Sequence, residues 1–153
     1  MTHVVHPYIF RIGHNKTWKS RWFNLKKFAA YLREDTLLRE WLHKKLRAAH
    51  IDTIEIERSP NSLHIIIKTS RPGMLIGRSG EGAEKLKEDI QKMIFKIWRR
   101  VGKLPEKKEL KLTIEEVRFP DTQSAIVAQM MIEELEKRTP FRRVMKQSLE
   151  KIS

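Results

Sequence analysis

The chain has 153 residues, enough for one or two small domains and for a core that needs no covalent staples. It has no cysteine, which excludes a disulfide framework and a thiolate metal site and suits a reducing compartment, and no apolar segment approaches the length that spans a bilayer. Lys and Arg number 32 against 19 Asp and Glu, a formal net charge of +13, so the first expected partner is a polyanion and no membrane partner is expected.

The distribution of charge says more than its sum. Residues 1–33 contain Arg11, Lys16, Lys19, Arg21, Lys26, Lys27 and Arg33 and no acid at all. Residues 137–153 carry Lys137, Arg138, Arg142, Arg143, Lys146 and Lys151 against Glu150. Between these ends the charge is mixed. Acids that are missing, rather than interspersed, argue against a face that is merely solvated. The opening MTHVVHPYIF has no basic leader, and Pro7 interrupts its apolar run, so no signal peptide is expected.

Residues 1–23 lack a period and read as a basic arm. His6, Arg11, Lys16, Lys19 and Arg21 are interleaved with Trp18 and Trp22, and Lys26 and Lys27 extend the run. Aromatics among cations suit RNA, by stacking plus phosphate contact. The arm is expected to order on a partner, with at least one of the two tryptophans packed on the domain. Residues 24–33 predict a short helix with Asn24 as N-cap and Phe28, Tyr31 and Leu32 inward. A second helix is predicted from Asp35, where Leu38, Trp41, Leu42, Lys45, Leu46 and Ala49 fall on one face and Lys44, Lys45 and Arg47 favour the negative end of the dipole.

Ile51 to Arg58 alternates, with Ile54 and Ile56 inward and Thr53, Glu55 and Glu57 on a solvated face. The turn Ser59-Pro60-Asn61-Ser62 leads to a second strand with Leu63, Ile65 and Ile67 buried, a hairpin partner of the first. Arg71-Pro72-Gly73 breaks that strand, one apolar turn follows, and then comes Gly77-Arg78-Ser79-Gly80. Glycine at both ends of the loop lets a phosphate backbone approach the main chain, and the amides that open the next helix point outward with the positive end of its dipole. Arg78 adds a charge. GXXG is the loop by which KH modules clamp single-stranded nucleotides. The helix after it spans 81–100, with Ala83, Leu86, Ile90, Met93, Ile94, Ile97 and Val101 inward and Gly102 and Pro105 ending it.

A charged loop over 103–109 precedes a third strand through Leu110, Leu112 and Ile114, ending at Val117. The helical crossover makes the second and third strands parallel. The predicted fold over 24–118 is therefore α+β, a two-layer α/β KH domain whose three-stranded mixed sheet carries helices on one face. Residues 119–153 form a helical segment. One helix is predicted over 121–138 with Ala125, Ala128, Ile132 and Leu135 inward. Thr139-Pro140 starts the next, with Phe141, Val144, Met145, Leu149 and Ile152 on one side and Arg142, Arg143 and Lys146 on the other.

Four stretches, in order from residue 4 to 149, carry a family resemblance. VVHPYIFRIG is similar to K-V-H-P-x-x-x-R-L-G; TSRPGMLIGRSGEGAEKL to T-A-R-P-G-x-x-I-G-x-x-G-E-x-x-E-K-L; EEVRFPDTQSAIVAQMM to E-V-x-x-P-x-x-x-A-x-x-V-A; and FRRVMKQSL to F-R-R-A-M-K-x-A. The chain resembles the family of the third protein of the small ribosomal subunit, in its bacterial form. The resemblance implies a type II KH domain, binding to rRNA in the head of the small subunit, and a place where mRNA enters. By position, Arg142, Arg143 and Lys146 would line that path. The implied partners are small-subunit rRNA, mRNA and small-subunit ribosomal proteins ten and fourteen, on a cytoplasmic or an organellar ribosome. Two departures stand out. The loop from Trp98 to Glu109 is several residues longer than the pattern. The family also continues into a further sheet, so the last two helices are expected to begin an otherwise missing second domain and to leave an apolar stripe along Val144, Leu149 and Ile152 exposed.

Chemistry finds little support. The six histidines show no metal-ligand spacing beyond His3 and His6, Glu55 and Glu57 read as a solvated face, and Glu81 and Glu84 read as acids placed favourably at a helix N-terminus. No catalytic residue, metal or cofactor is expected. Three readings remain: a ribosomal rRNA-binding protein, a free-standing KH module acting on single-stranded RNA, and a nucleic-acid enzyme. The acid-free arm and the two basic helices after the third strand favour the first.

Overall fold

The computed structural model describes residues 4–100 and 108–152. In chain order its elements are α1 (Pro7–Arg11), β1 (Ser20–Arg21), α2 (Phe28–Lys45), β2 (Ile51–Arg58), β3 (Ser62–Thr69), α3 (Pro72–Ile76), α4 (Glu81–Arg100), β4 (Glu109–Glu116), α5 (Ser124–Glu136) and α6 (Phe141–Ile152). The predicted hairpin and crossover are both present. β2 and β3 run antiparallel, with Ile54 opposite Ile67 and Ile56 opposite Ile65. β3 and β4 run parallel, with Ile65 opposite Leu112 and Ile67 opposite Ile114. This register puts the isoleucines on one face, where Leu38 and Leu42 of α2, Leu46 just after it, and Leu86 and Ile90 of α4 cover them to form the core. The result is the expected two-layer α+β domain.

The sheet has a fourth strand. β1 pairs parallel to β2 through Ser20 and Arg21, beside Ile56 and Glu57, so the segment read as an arm contributes to the domain. A strand of two residues has no period for sequence reasoning to detect. Trp22 follows it into the fold and packs against Phe28 and Tyr31, both ring centroids 5.5 Å away, whereas Trp18 is 62% exposed.

The two helices expected between residues 24 and 49 are one. α2 runs unbroken through Glu34 and Asp35, which are buried acids in its middle rather than a boundary. Asn24 still accepts a bond from the Lys27 N–H at 3.1 Å, which shapes the turn before the helix. Of the residues expected inward, Tyr31 is buried but Phe28 and Leu32 are exposed. α5 also turns a different face inward. Ile126 is its buried apolar residue, while Ala128, Ile132 and Leu135 are exposed. Val144 of α6 is buried, and Leu149 and Ile152 are exposed. Expectations for His3, Val101, Gly102, Pro105 and the loop over 103–107 lie outside the described residues.

Candidate nucleic-acid interface

The GXXG loop is built by chain reversal between a short helix and a long one. The Thr69 hydroxyl accepts from the Arg71 N–H at 3.1 Å, and Pro72 then starts α3. α3 ends at Gly77, whose N–H donates to the Gly73 carbonyl at 3.0 Å. Gly77 adopts φ 69 and ψ −173, a region essentially reserved for glycine. Ser79 at φ 55 and Gly80 at φ 84 are left-handed, so the chain makes a tight turn before α4 begins at Glu81. Arg78 and Ser79 are exposed.

A third glycine, which the sequence reading passed over, sets the loop's footing. A Cβ on Gly82 would lie 2.7 Å from the Leu75 carbonyl oxygen and 2.9 Å from that of Ile76. The α3 backbone therefore rests directly on the first turn of α4, and only a glycine admits that approach. The loop's own charges nearly balance. Arg78 and Lys85 stand against Glu81 and Glu84, and Lys85 pairs with Glu81 at 2.6 Å. Any grip on a phosphate here thus comes from main-chain donors and the helix dipole more than from net charge.

The basic residues named in the arm have different surroundings. His6 caps α1, its Nδ1 accepting from the Tyr8 N–H at 3.1 Å. Arg11 is exposed and donates to the Pro7 carbonyl at 3.0 Å. Lys16, Lys26 and Lys27 are exposed, and Lys19 is exposed with its ammonium 5.0 Å from the Tyr8 ring centre. Arg21 instead lies on the open face of the sheet, bound to Glu55 at 2.5 Å and Glu57 at 2.8 Å.

That open face is a charged ladder and not the solvated surface expected. Glu55 is only 8% exposed because Arg21 and Lys68, the latter at 2.7 Å, close over it. Burial acts to raise the Glu55 pKa, but the hydrogen bond from Lys68 and the charges of Lys68 and Arg21 outweigh it and hold the carboxyl below its ordinary range. Glu57 lies 3.2 Å from His64 Nδ1, whose Nε2 is 2.8 Å from the Thr113 hydroxyl. Both carboxylates are thereby committed to cations of the same face. Among the described residues, no group of three His, Cys, Asp or Glu is placed to hold a metal ion.

Behind the sheet, a buried polar cluster ties the arm to the domain. Asp35, 0% exposed, accepts from the Ser20 hydroxyl and the Trp22 indole, both at 2.8 Å, and from Arg58 through Nη2 and, at 3.1 Å, Nε. Glu34 accepts from the Trp98 indole at 2.8 Å and from Arg58 at 3.3 Å. Arg39 donates to the Lys19 carbonyl at 2.9 Å, the Ser20 hydroxyl at 2.6 Å and the Ile54 carbonyl at 3.2 Å, bracing β1 against β2. The only sequence signal for this cluster is the adjacent acid pair inside a helical period.

α6 displays Arg142, Arg143 and Lys146 to solvent, with Lys146 3.9 Å from Glu150. The three basic elements therefore occupy three parts of the fold: the loop heads α4, the arm runs along the β2 edge, and α6 packs on α5.

Comparison with known proteins gives two results. The KH domain family profile matches residues 37–122, which is the second half of α2 with β2, β3, the GXXG loop, α4 and β4. Along nearly the whole chain, the sequence is also similar to proteins named small ribosomal subunit protein uS3. The relative from Maridesulfovibrio salexigens is 40% identical over 146 residues, covering 95% of this chain and 63% of the relative. That from Koribacter versatilis is 41% identical over 150 residues, covering 98% and 62%. That from Solibacter usitatus is 39% identical over 150 residues, covering 98% and 40%. The chain thus spans less than two thirds of the length of these relatives.

Proposed function

The chain belongs to the KH-domain family, and on that premise we propose that it is an RNA-binding constituent of a small ribosomal subunit and not an enzyme. The observation that carries this reading is the likeness to ribosomal relatives, about 40% identity over 95% and 98% of the chain. The physical features agree with it. Exposed cations of an acid-free arm neutralise rRNA phosphates, and each such contact contributes roughly −0.7 to −0.9 to the slope of log affinity against log salt. Gly77, Arg78, Ser79 and Gly80 offer main-chain donors at the head of α4 as a second clamp.

Finer assignments follow by position. The rRNA contacts lie in the head of the subunit, Arg142, Arg143 and Lys146 face the path by which mRNA enters, and ribosomal proteins ten and fourteen are neighbours. The site of action is the ribosome, in the cytoplasm. The test is sedimentation of a cell lysate on a sucrose gradient, with and without a high-salt wash, probing fractions for this chain. Co-migration with small subunits that survives moderate salt supports the reading. A chain that stays at the top of the gradient refutes it and leaves the free-standing KH module to be tested on single-stranded RNA.

A further inference from the structure

α5 meets the KH unit along a row of polar side chains. Gln129, Glu133 and Glu136, spaced by four and three residues, share one stripe of the helix. Each contacts the corner where α2 passes into β2. The Gln129 amide donates to the Ile51 carbonyl at 2.8 Å, and its oxygen accepts from the Ile51 N–H at 3.0 Å. It stands in for a neighbouring strand at the start of β2, where β1 does not reach. Glu133 Oε1 lies 2.9 Å from His50 Nε2 and 3.6 Å from Arg71 Nη1. Glu136 pairs with Arg47.

His50 is the least ordinary member of this corner. It is 0% exposed, and its backbone is left-handed at φ 49, a conformation few non-glycine residues adopt. Its carbonyl accepts from the Ser70 N–H at 3.3 Å, which pins the corner to the end of β3. Its ring turns one nitrogen to a carboxylate that belongs to a different structural unit. The charged groups around that pair are Lys137 just after α5, Arg71 before α3, and the Arg47–Glu136 pair beside it. The close approach of the His50 imidazole, aided by the charges of Arg71 and Lys137, holds the Glu133 carboxyl below its ordinary range against the opposing effect of burial.

We propose that this row is a latch, with His50 as its positioning residue, that fixes the orientation of the α5–α6 unit on the KH unit and so fixes the basic face of α6 relative to the GXXG loop. Apolar burial tolerates sliding, but a two-point amide bridge and a buried imidazole–carboxylate contact do not. The latch stands on these distances alone. Its consequence, that loop and α6 grip one RNA in a set geometry, rests on the RNA-binding reading above.

The cysteine-free sequence permits a pair of spin labels, one on α4 at Lys87→Cys and one on α6 at Gln147→Cys, both exposed positions. Electron–electron distance measurement near neutral pH is expected to give one narrow distribution for the labelled parent. Glu133→Ala, Gln129→Ala and His50→Asn should each broaden it while the circular dichroism of the domain persists; asparagine is at ease in the left-handed region but does not reach Glu133. Glu133→Gln should recover most of the narrow distribution, because a carboxamide of the same shape keeps an oxygen against the imidazole. A broad parent distribution, or a narrow one in both Glu133→Ala and Gln129→Ala, overturns the latch. Binding of a single-stranded oligouridylate, titrated in parallel, should weaken about tenfold in Glu133→Ala through lost avidity. If the parent itself does not bind RNA, the RNA-binding reading fails and the distances still decide the latch.

Discussion

Gly82→Ala tests whether the GXXG loop depends on the close seating of α3 on α4. The added methyl would sit 2.7 and 2.9 Å from two carbonyl oxygens, those of Leu75 and Ile76. These are backbone atoms, so no rotamer change relieves the contact, and α3 must move. Overpacking of this kind costs about 1–3 kcal/mol, and the rigid partners favour the upper end. Alanine returns about 1 kcal/mol over glycine in a helix, which leaves a net loss of about 2 kcal/mol. For a chain of this size that is a fall in Tm of about 4–8 °C. Thermal unfolding followed by circular dichroism reads it directly. Gly73→Ala is the matched control, since a Cβ there has nothing within 4 Å and the backbone is not left-handed. It should leave Tm unchanged or raise it slightly. A Gly82→Ala variant as stable as its parent would refute the reasoning. It would mean that α3 floats on α4 and that the loop's shape is set elsewhere.

Asp35→Ala should destabilise by about 3 kcal/mol in chemical denaturation, the low end for breaking a buried pair because Arg58 keeps Glu34 at 3.2 Å. Glu55 contributes to pH dependence with a definite sign: its folded pKa is depressed, so its stabilisation is present above the ordinary value of 4.5 and is lost as the pH falls through the lowered one. Glu55→Gln should accordingly flatten the acid limb of the stability profile, and an unchanged limb would show that the ladder does not hold in solution. Lys16→Ala should lower the salt slope of RNA binding by about 0.7–0.9 if that residue meets a phosphate, whereas Arg21→Ala should leave the slope alone and lower stability; equal slope changes in the two would contradict the placement of Arg21.

Much of the fold is legible because hydrophobic period dominates it. α4 keeps its predicted bounds because Leu86, Ile90 and Ile97 recur on one face and the glycine loop marks its start. The hairpin and the parallel strand follow from alternation and a crossover. α2 is misread where local chemistry competes with period. Glu34 and Asp35 look like the start of a new helix, since acids favour a first turn, but they are bound by Arg58, which lies 23 residues further on and is invisible to a local rule. α5 is misread for a related reason. It serves two neighbours, α6 and the 47–51 corner, meeting the corner through Gln129 and Glu133, and its corner-facing stripe is polar. An apolar-period rule cannot find a stripe made of amides and carboxylates.

The same distinction separates the cations that make the fold from those left for a ligand. Arg21, Arg39 and Arg58 each hold two or more acceptors of the domain, and a planar fork of donors suits that work. Lys16, Lys19 and Lys26 stay exposed on flexible stems, as mobile point charges suited to phosphates that carry no fixed geometry. The count of 32 Lys and Arg therefore overstates the cations a nucleic acid meets. What the ligand meets is set by which arginines the acids of the sheet and of α2 have already claimed. Glu55, Glu57, Glu34 and Asp35 do this claiming, and all four lie in the middle of the chain. Acids placed there tie β1 and the tryptophan after it to the sheet, while the lysines nearer the N-terminus keep an acid-free stretch of their own. The balanced middle and the acid-free arm are in this way two halves of one arrangement.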